Sequence, residues 1–401
     1  MNAAKGFRSA APVLLLLVGA GVGCSLMLDT EYDKYGPLKG AGGTAGATGG
    51  TGGTSTEGGT PDVNPGGAGG VGGVGGQGGE AGDSGPPDAD AQVTPPHDPP
   101  PPGEVCPFWS PPSCADGLIC AGTDCCESRS VPGGSFPMGE NDAFNGKEHE
   151  AVVSPRCVDT FEVTVGRFRK FVESYTLPES GAGAHPNVPT SGWNPIWNPL
   201  VPQDEAQIRA SLNCGKTWQT WTDSPEGAED MPINCVSWYN AFAFCVWDGA
   251  RLLSEAEWEH ASAAGAENRL YPWGFTTPDD TLATYCHSTS GLTCTDSTVR
   301  PRAVGSTPLG ASLWGQQDIA GNVWEWNLDW YSQDFYNNFC SDCVNVIEPG
   351  DSCFFAMWKN ARTARGGSFN YGTNELRAFA RGCNIPSYRD SDVGFRCVRD
   401  L

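Results

Sequence analysis

Cysteine is the residue type whose number and spacing most directly suggest chemistry in this sequence of 401 residues. There are 17 cysteines, and five of them lie close together: Cys106, Cys114, Cys120, Cys125 and Cys126. Clustered thiolates bind zinc well, and the Cys340-Ser341-Asp342-Cys343 motif has the same potential. No histidine lies near the first cluster, and the thiols of an exported chain are oxidised. Disulfide bonds are therefore the favoured interpretation, with zinc as the alternative.

The histidines offer no recognisable catalytic or metal-binding pattern. None of the five forms a close pair of the HxxxH or HExxH kind: His97, His149, His185, His260 and His287. The folded part of the sequence also lacks a GxSxG nucleophile elbow and a phosphate-binding loop. His260 follows a helix-capping motif, and we expect it to be a partly exposed structural residue rather than a general base. These patterns predict no catalytic residue.

Charge narrows the possible partners. The chain has 47 acidic and 24 basic side chains, and its formal net charge is −23. Binding to phosphates requires clustered lysine and arginine, and no such run occurs, so nucleic acid is excluded as a partner. The acidity is interpreted as solvated surface carboxylates, although such a surface can also hold divalent cations.

The N-terminus has the form of a secretory signal. Lys5 and Arg8 precede an apolar run over residues 10–22, and small residues lead to Cys24. This pattern predicts a lipoprotein signal peptide over residues 1–23, with lipid attached to Cys24. Ordinary secretion with a free Cys24, or an uncleaved anchor, is the alternative. We expect a chain anchored at the bacterial cell envelope, and the absence of an acidic residue at Ser25 and Leu26 favours the outer membrane.

Composition divides the remainder into a tether and a folded region. Residues 24–104 are rich in glycine and then in proline and offer little to bury, which predicts a disordered tether. Residues 105–130 are predicted to form a small Cys-rich segment, and residues 131–401 one domain that contains most of the aromatic residues. Apart from Cys24, 16 of the 17 cysteines remain, an even number that suits full pairing.

The domain shows short elements between long loops rich in glycine, proline and tryptophan. Thr164, Ser237 and Ser254 can each cap a helix. The first of these helices would place its apolar residues on one face: Val165, Phe168, Phe171, Val172 and Tyr175. No alternation of strands and long helices is present, so the predicted fold class is α+β with much irregular structure.

A series of sequence blocks carries a more specific signal. They read VPGGSFPMG from residue 131, DTFEVTVGRFRKFV from 159, RLLSEAEWEHASAAG from 251, GQQDIAGNVWEWNLDWY from 315, ARGGSFNYG from 364 and VGFRCVRD from 393. In this order the blocks resemble the formylglycine-generating-enzyme (sulfatase-modifying factor) family. The resemblance covers nearly all of residues 131–401 and implies an irregular α+β fold related to duplicated C-type-lectin-like architecture.

The resemblance also implies one bound calcium ion. The family's second calcium site maps to two side chains and two main-chain oxygens, namely Asp318, Glu325, Gly321 and Val323. These are hard oxygen donors on a glycine-containing turn, as calcium prefers. The alternative is that Glu325 pairs locally. The family's first calcium site maps poorly, because Thr284 and Tyr285 stand where an Asn-Ile pair is usual.

Specific disulfides are expected as well. Cys245 and Cys397 match positions that are joined in the family. Proximity in sequence suggests two further pairs, Cys214 with Cys235 and Cys286 with Cys294, the second of which would stand in place of the first calcium ion.

The family's enzyme oxidises a cysteine of a sulfatase peptide to formylglycine, using two active-site cysteines that bind copper as thiolates. Those cysteines should follow the GGS block within a few residues. Here no cysteine occurs between Cys353 and Cys383, and Cys383 is better explained as half of a disulfide. Copper and copper-dependent activity are therefore expected to be absent.

What the resemblance leaves is a peptide-binding groove beside the RGGS block. It would be lined by Arg365, Ser368, Phe369, Tyr371 and Arg377. The first hypothesis is a binding or scaffold module at the envelope for a peptide, protein or glycan. The second is a protein-modifying oxidoreductase of the formylglycine-generating type, or one with other chemistry in the same cleft. A purely structural envelope lipoprotein is the third.

Overall fold

The computed structural model describes residues 101–106, 110–140, 147–287, 298–348, 352–353 and 358–401. All of them belong to one compact unit. The predicted signal peptide, Cys24, nearly all of the predicted tether and Cys294 lie outside the described residues. Within the described ranges, no helix has the length and apolar character needed to cross a membrane.

Helices are few and short in this part of the chain. The α-helices are α1 (Val165–Glu173), α2 (Glu205–Leu212), α3 (Trp238–Trp247) and α4 (Glu255–Ala263). Short 3-10 helices occur at Pro112–Cys114, Pro189–Ser191, Pro195–Leu200, Gly265–Glu267 and Pro308–Gly310.

Three of the four helices begin where the sequence predicts. The side-chain oxygens of Thr164 and Ser237 each accept a hydrogen bond from the backbone N–H three residues on, and Ser254 forms a complete capping box with Glu257. These bonds satisfy N–H groups that the first turn of a helix leaves free, so each helix starts at a defined residue. The apolar face of α1 is buried as predicted, except that Tyr175 lies beyond the end of the helix and is half-buried.

The strands are mostly two to five residues long and form small sheets. They are β1 (Ile119–Cys120), β2 (Thr123–Asp124), β3 (Ser128–Val131), β4 (Gly134–Met138), β5 (His149–Val153), β6 (Arg156–Asp159), β7 (Arg251–Leu252), β8 (Trp324–Trp330), β9 (Cys340–Ser341), β10 (Ser352–Cys353), β11 (Trp358–Lys359), β12 (Arg362–Arg365), β13 (Arg381–Asn384), β14 (Val393–Gly394) and β15 (Cys397–Asp400).

The sheets have the orders β3-β6-β15-β7, β13-β12-β8-β14 and β4-β5-β9, with β1-β2 and β10-β11 as separate pairs. Pairing is antiparallel except where β14 meets β8 and where β9 meets β5. Mostly antiparallel sheets with helices that do not alternate regularly with strands confirm the predicted α+β class.

The largest hydrophobic core lies between α1, α3 and β8. Phe168 and Phe171 of α1 pack on Phe244 of α3, with ring centroids 5.5 and 5.7 Å apart. From β8, Trp324 and Trp326 join the same core. Burying an aromatic side chain of this size stabilises the fold by roughly 1.5–3 kcal/mol, so this cluster provides much of the driving force that joins the helices to the sheet.

Disulfides order the Cys-rich segment and join it to the domain. Cys114–Cys126 and Cys120–Cys125 lie within the segment, and Cys106–Cys157 links it to β6. The sulfurs of Cys114 and Cys126 lie within ligand distance of Asp124, but they are bonded to each other and do not form the thiolate pair that zinc requires.

The bridge expected from the family, Cys245–Cys397, joins α3 to β15, and the Cys214–Cys235 bridge suggested by sequence proximity is also present. Cys340–Cys343 closes the CxxC motif. Cys286 and Cys383 are disulfide-bonded as well. Every cysteine whose side chain lies in the described part of the chain is thus oxidised.

A balanced group of charges lies buried beneath the Cys-rich segment. Arg167 donates hydrogen bonds to Asp159 at 2.9 Å and to Asp248 at 2.7 Å. Arg399 donates to the same two carboxylates. Two guanidinium groups and two carboxylates offset one another, and together they connect α1, β6, β15 and the residue that follows α3.

Helix α4 is buried on every side, and all nine of its residues are buried. His260 stacks on Trp314 at 5.1 Å and meets the edge of Phe136 at 5.1 Å, while Arg156 lies 3.2 Å from its Nδ1. The expectation that His260 is partly exposed is therefore wrong. Its role is nevertheless structural, because α4 packs against β4 and β5 as well as against β8 and β12.

Acid should destabilise this packing through His260. Burial, followed by the nearby Arg156 charge, lowers the pKa of His260 from 6.5 to about 2. As the pH falls below 6.5, the unfolded chain gains a proton that the folded chain does not, so stability is lost. From about pH 6 to about pH 4 the loss is about 1.4 kcal/mol per pH unit. His260→Asn, which keeps an acceptor for Arg156, should flatten this slope in denaturant unfolding.

His287→Asn is the matched control, because the His287 side chain is exposed. The part of the pH dependence that arises from His260 should persist in this variant. Equal slopes in the parent and in His260→Asn would contradict a neutral His260 in the folded chain.

Candidate functional site

The RGGS block leads from β12 into a loop that folds tightly on itself. Gly366 and Gly367 have φ values of 96° and 71°, in the left-handed region. A Cβ atom on Gly367 would lie 2.7 Å from the backbone oxygen of Glu375, so only glycine fits this approach. Phe369 N–H donates to the backbone oxygen of Asn322 at 2.8 Å. This bond fixes the loop against the turn that precedes β8.

Arg365 lies inside the domain rather than along a groove. Its Nε donates to Glu255 at 3.0 Å and its Nη2 to Glu259 at 2.8 Å, while Nη1 donates to two backbone oxygens. Arg365, Ser368 and Phe369 are 0%, 0% and 2% exposed. The prediction that these three residues line a groove is therefore corrected. The buried Arg365 side chain pairs with two carboxylates of α4 and thereby joins β12 to that helix.

Tyr371 and Arg377 are the two predicted groove residues that reach the surface, and both are half-buried. The Tyr371 ring meets the Trp324 ring edge to face at 5.5 Å. Arg377 donates to Asn374 at 2.7 Å, and its guanidinium carbon lies 5.8 Å from the centre of the Phe379 ring. We call the partly exposed side chains of Tyr371, Asn374, Arg377 and Phe379 the 371–379 face.

The cavities found in the described residues lie elsewhere. An open depression of about 360 Å³ is lined by β4 and β5 and the residues before β5: Ser135, Phe136, Pro137, Glu148, His149 and Glu150. A second cavity of about 10 Å³ is lined in part by Arg365, Glu259 and Arg381 and has room for one water molecule at most. Neither of these two cavities includes a residue of the 371–379 face.

The turn before β8 carries the predicted calcium ligands. Within the turn over residues 318–322, Asp318, Gly321 and Asn322 have φ values of 55°, 89° and 56°, which lie in the left-handed region. Asp318 is buried, which raises its pKa, and it accepts hydrogen bonds from Gly305 N–H and Thr307 Oγ1. A Cβ atom at position 321 would lie 2.5 Å from a backbone oxygen, which explains the glycine there. The turn is thus strained and tightly packed.

Glu325 is paired locally, as the alternative interpretation expected. Arg396 donates to both of its carboxylate oxygens at 2.7 to 2.9 Å, and Trp258 Nε1 donates to one of them at 2.8 Å. The local pair does not exclude a cation, because a carboxylate oxygen has more than one lone pair.

Glu162 is a buried acid beside this turn that the sequence reasoning missed. Its oxygens accept hydrogen bonds from Asn322 Nδ2 at 2.6 Å and from Val323 N–H at 3.1 Å. Burial, followed by the charges of Asp318 and Glu325, raises the pKa of Glu162 well above its usual range. The sequence contained one signal: a glutamate between Phe161 and Val163, in a stretch that otherwise reads as core.

The charges around the turn do not balance. Three buried carboxylates, those of Glu162, Asp318 and Glu325, face one guanidinium, that of Arg396. When all four groups are ionised, two negative charges remain unmatched, which is costly inside a protein. A divalent cation with oxygen ligands is the group that would offset them.

At the position of the family's first calcium site, this chain has a buried threonine and, two residues later, a disulfide-bonded cysteine. Thr284 is buried, and its backbone oxygen accepts a hydrogen bond from Asn322 N–H at 2.8 Å. Cys286 is disulfide-bonded. Its predicted partner, Cys294, is outside the described residues, so the Cys286–Cys294 pairing stays a prediction.

Replacing Arg365 should test whether it is structural. Arg365→Ala would leave Glu255 and Glu259 short of a buried partner, and breaking such a pair costs about 3–5 kcal/mol. Arg377→Ala is the matched control and should cost less than about 0.5 kcal/mol, because its side chain is half-exposed. Chemical denaturation monitored by tryptophan fluorescence measures both. Similar small losses in the two variants would show that Arg365 is not a packing residue.

Known proteins resemble this chain over the same region. The model of the sulfatase-modifying factor enzyme 1-like domain family matches residues 121–401, which begins before the predicted boundary at 131. The formylglycine-generating enzyme of Thermomonospora curvata is 30% identical over 296 residues, covering 68% of this chain and 92% of that enzyme.

The inactive C-alpha-formylglycine-generating enzyme 2 of Mus musculus is 28% identical over 285 residues, covering 67% of this chain and 84% of that protein. Among solved structures, PvdO from Pseudomonas aeruginosa is similar with a TM-score of 0.49 and 21% identity, covering 75% of this chain and 99% of that one. The family match spans the whole region in which the helices, the sheets and the RGGS loop are found, and this chain belongs to the sulfatase-modifying factor (formylglycine-generating enzyme) family.

Proposed function

We propose that this chain lacks the copper-dependent activity of its family and binds a peptide or protein segment at the cell envelope. The observation that carries the proposal is the absence of a free thiol at the RGGS loop. Residues 366–381 contain no cysteine, and every cysteine whose side chain the structure describes is in a disulfide. Monovalent copper is held by soft thiolate ligands, so this loop offers it no site.

The chemistry of the 371–379 face supports a macromolecular ligand. The face combines two aromatic rings with a guanidinium group, and none of its residues lines either of the two cavities described above. Small molecules are usually bound in concave pockets, whereas tyrosine and arginine on a flatter surface are typical of contacts with proteins. An extended peptide or protein segment therefore fits better than a small molecule, with a glycan as the alternative.

An exported location is part of the proposal. Disulfides of this density are typical of chains that fold in an oxidising compartment. Lipid on Cys24 would anchor the chain, and the tether over residues 24–104 would carry the domain away from the membrane, which we propose is the outer membrane.

The relatives include one named as a formylglycine-generating enzyme and one named as an inactive form of it, and the two are similarly distant from this chain. The activity of this chain therefore needs a direct test. An oxidoreductase acting in the same region is the alternative, and it requires oxygen consumption that a binding module does not.

The test uses the full chain and two sulfatase-derived peptides that differ only in having cysteine or serine at the target position. With monovalent copper supplied, oxygen uptake should not exceed the blank for either peptide. Fluorescence anisotropy should give similar affinities for both peptides, because binding does not depend on the thiol. Tyr371→Ala should weaken both by roughly tenfold, as for the loss of one aromatic contact.

Phe275→Ala is the control, because Phe275 is an exposed aromatic residue outside the 371–379 face. Oxygen uptake that accompanies loss of the peptide thiol would overturn the proposal in favour of the oxidoreductase. Absence of binding to either peptide by a folded chain would remove the binding role and favour a purely structural lipoprotein.

We further propose that one calcium ion binds at the turn before β8. The carboxylates of Asp318 and Glu325 and the main-chain oxygens of Gly321 and Val323 would hold it, with Glu162 adjacent. The cation would supply the positive charge that the three buried carboxylates lack. It would thereby hold in place the turn against which the RGGS loop is fixed.

Calcium should raise the thermal stability of the full chain. A free concentration one hundred times the dissociation constant adds about 2.7 kcal/mol, which differential scanning fluorimetry detects as a shift relative to the chelated sample. Asp318→Asn should abolish the shift, while Glu173→Gln, at an exposed position, should keep it. An undiminished shift in Asp318→Asn would place the ion elsewhere, and no shift in the parent would argue against any calcium site.

A further inference from the structure

The Cys340–Cys343 disulfide contributes least to holding the fold together. The other described bridges with both partners assigned join residues 5 to 152 positions apart, whereas Cys340 and Cys343 are only 3 apart. In the loop-closure picture, the stabilisation from a disulfide rises with the length of the closed loop. A bridge that closes so small a loop is not needed to join distant parts of the domain.

The loop between these two cysteines is held in place without the disulfide. The Asp342 carboxylate accepts hydrogen bonds from Ser154 N–H at 2.7 Å, Ser154 Oγ at 2.6 Å and Asn187 Nδ2 at 2.8 Å. Asp342 N–H donates to the backbone oxygen of Val152 at 2.8 Å, and β9 pairs with β5. Opening the disulfide would therefore leave both sulfurs close together in a loop that keeps its shape.

The two sulfurs differ in their surroundings. Cys340 is buried in a hydrophobic cluster with Phe136, Met138 and Tyr336, and Cys343 lies at the edge of that cluster, where it is half-buried. An incoming thiol can thus reach Cys343 more easily than Cys340. Accessibility is one of the factors that decide which sulfur of a disulfide is attacked.

Exposed apolar side chains flank the motif in sequence. Phe339 immediately precedes it and is 65% exposed, and Ile347 follows it and is 69% exposed. Large apolar residues with so much exposure are available to contact an unfolded or extended polypeptide. The motif thus combines a reachable sulfur with nearby apolar contacts.

We propose that Cys340–Cys343 is a thiol–disulfide exchange site that oxidises a pair of thiols on an extended segment of another exported polypeptide. A substrate thiolate attacks Sγ of Cys343, the Cys340–Cys343 bond breaks, and Cys340 leaves as a thiolate that takes up a proton. The second substrate thiolate then attacks the substrate sulfur of the mixed disulfide and releases Cys343.

Two electrons and two protons pass from the substrate dithiol to the cysteine pair. The substrate gains a disulfide, and Cys340 and Cys343 become thiols. A low-molecular-weight disulfide, such as oxidised glutathione, would return the pair to its oxidised form by the reverse exchange. The site requires neither copper nor the 371–379 face, so it is independent of the proposed binding function.

The first test is the order of reduction. The full chain is equilibrated with increasing dithiothreitol, its free thiols are alkylated, and the labelled positions are identified by mass spectrometry. Cys340 and Cys343 should become labelled at concentrations that leave Cys245–Cys397 and Cys214–Cys235 intact. Reduction of all these bridges at the same concentration would overturn the proposal.

The second test measures turnover with a fluorescent peptide that contains two cysteines and apolar neighbours, in the presence of oxidised glutathione. The parent chain should accelerate disulfide formation in the peptide, and the double variant Cys340→Ser with Cys343→Ser should lose at least about tenfold of that rate. The matched control, Cys214→Ser with Cys235→Ser, should retain it. A double variant that has normal thermal unfolding and an unchanged rate would refute the site.

A single variant distinguishes loss of the exchange site from loss of the fold. Cys340→Ser leaves Cys343 as a free thiol that cannot be resolved internally. With a peptide that has a single cysteine, supplied as its own symmetric disulfide, Cys343 should attack one sulfur, release one peptide as a thiol and keep the other in a mixed disulfide, because no second thiol is tethered to displace it. The adduct is visible as a mass increase on the proteolytic fragment that contains Cys343. No adduct on Cys343 in a folded Cys340→Ser chain would also count against the proposal.

Discussion

Buried guanidinium groups join elements that lie far apart in this chain. Arg365 holds β12 to α4 through Glu255 and Glu259, and Arg396 binds the β8 carboxylate of Glu325. A buried ion pair adds little net stability, yet a wrong arrangement leaves an unpaired charge in the interior. In a fold of short strands and long loops, this penalty selects one packing among many of similar hydrophobic content. The position of the RGGS loop and of the turn before β8 depends on these pairs.

Disulfides complement the ion pairs by limiting the unfolded chain. Cys245–Cys397 closes a loop that spans more than a third of the sequence, two bridges lie within the Cys-rich segment, and Cys106–Cys157 attaches that segment to the domain. Loops rich in glycine and proline bury few hydrogen-bonded backbone groups, so covalent links are an effective way to order them. The Cys340–Cys343 bridge stands apart from this pattern, since local hydrogen bonds already order its loop. This difference is the basis of the exchange role that we propose for it.

This chain belongs to the family by its sequence, but residues 366–381, from the RGGS block onward, contain no cysteine. The RGGS loop keeps its glycine turns and its contact with the turn before β8, but it presents tyrosine and arginine at the surface. Beneath it, the excess of buried carboxylates around Asp318 is understandable if a cation completes the turn.

The sequence alone determined what depends on local rules and on the order of the blocks. These are the α+β class, the starts of three helices, the family, the missing thiol pair beside Ser368 and the pairing of Cys245 with Cys397. Burial was decided by tertiary structure, because it depends on which distant elements cover a residue. Arg365 and His260 are interior since α4 is enclosed by two sheets, and Glu162 meets Val323 across 161 positions only because the fold brings the residues after β6 to the start of β8.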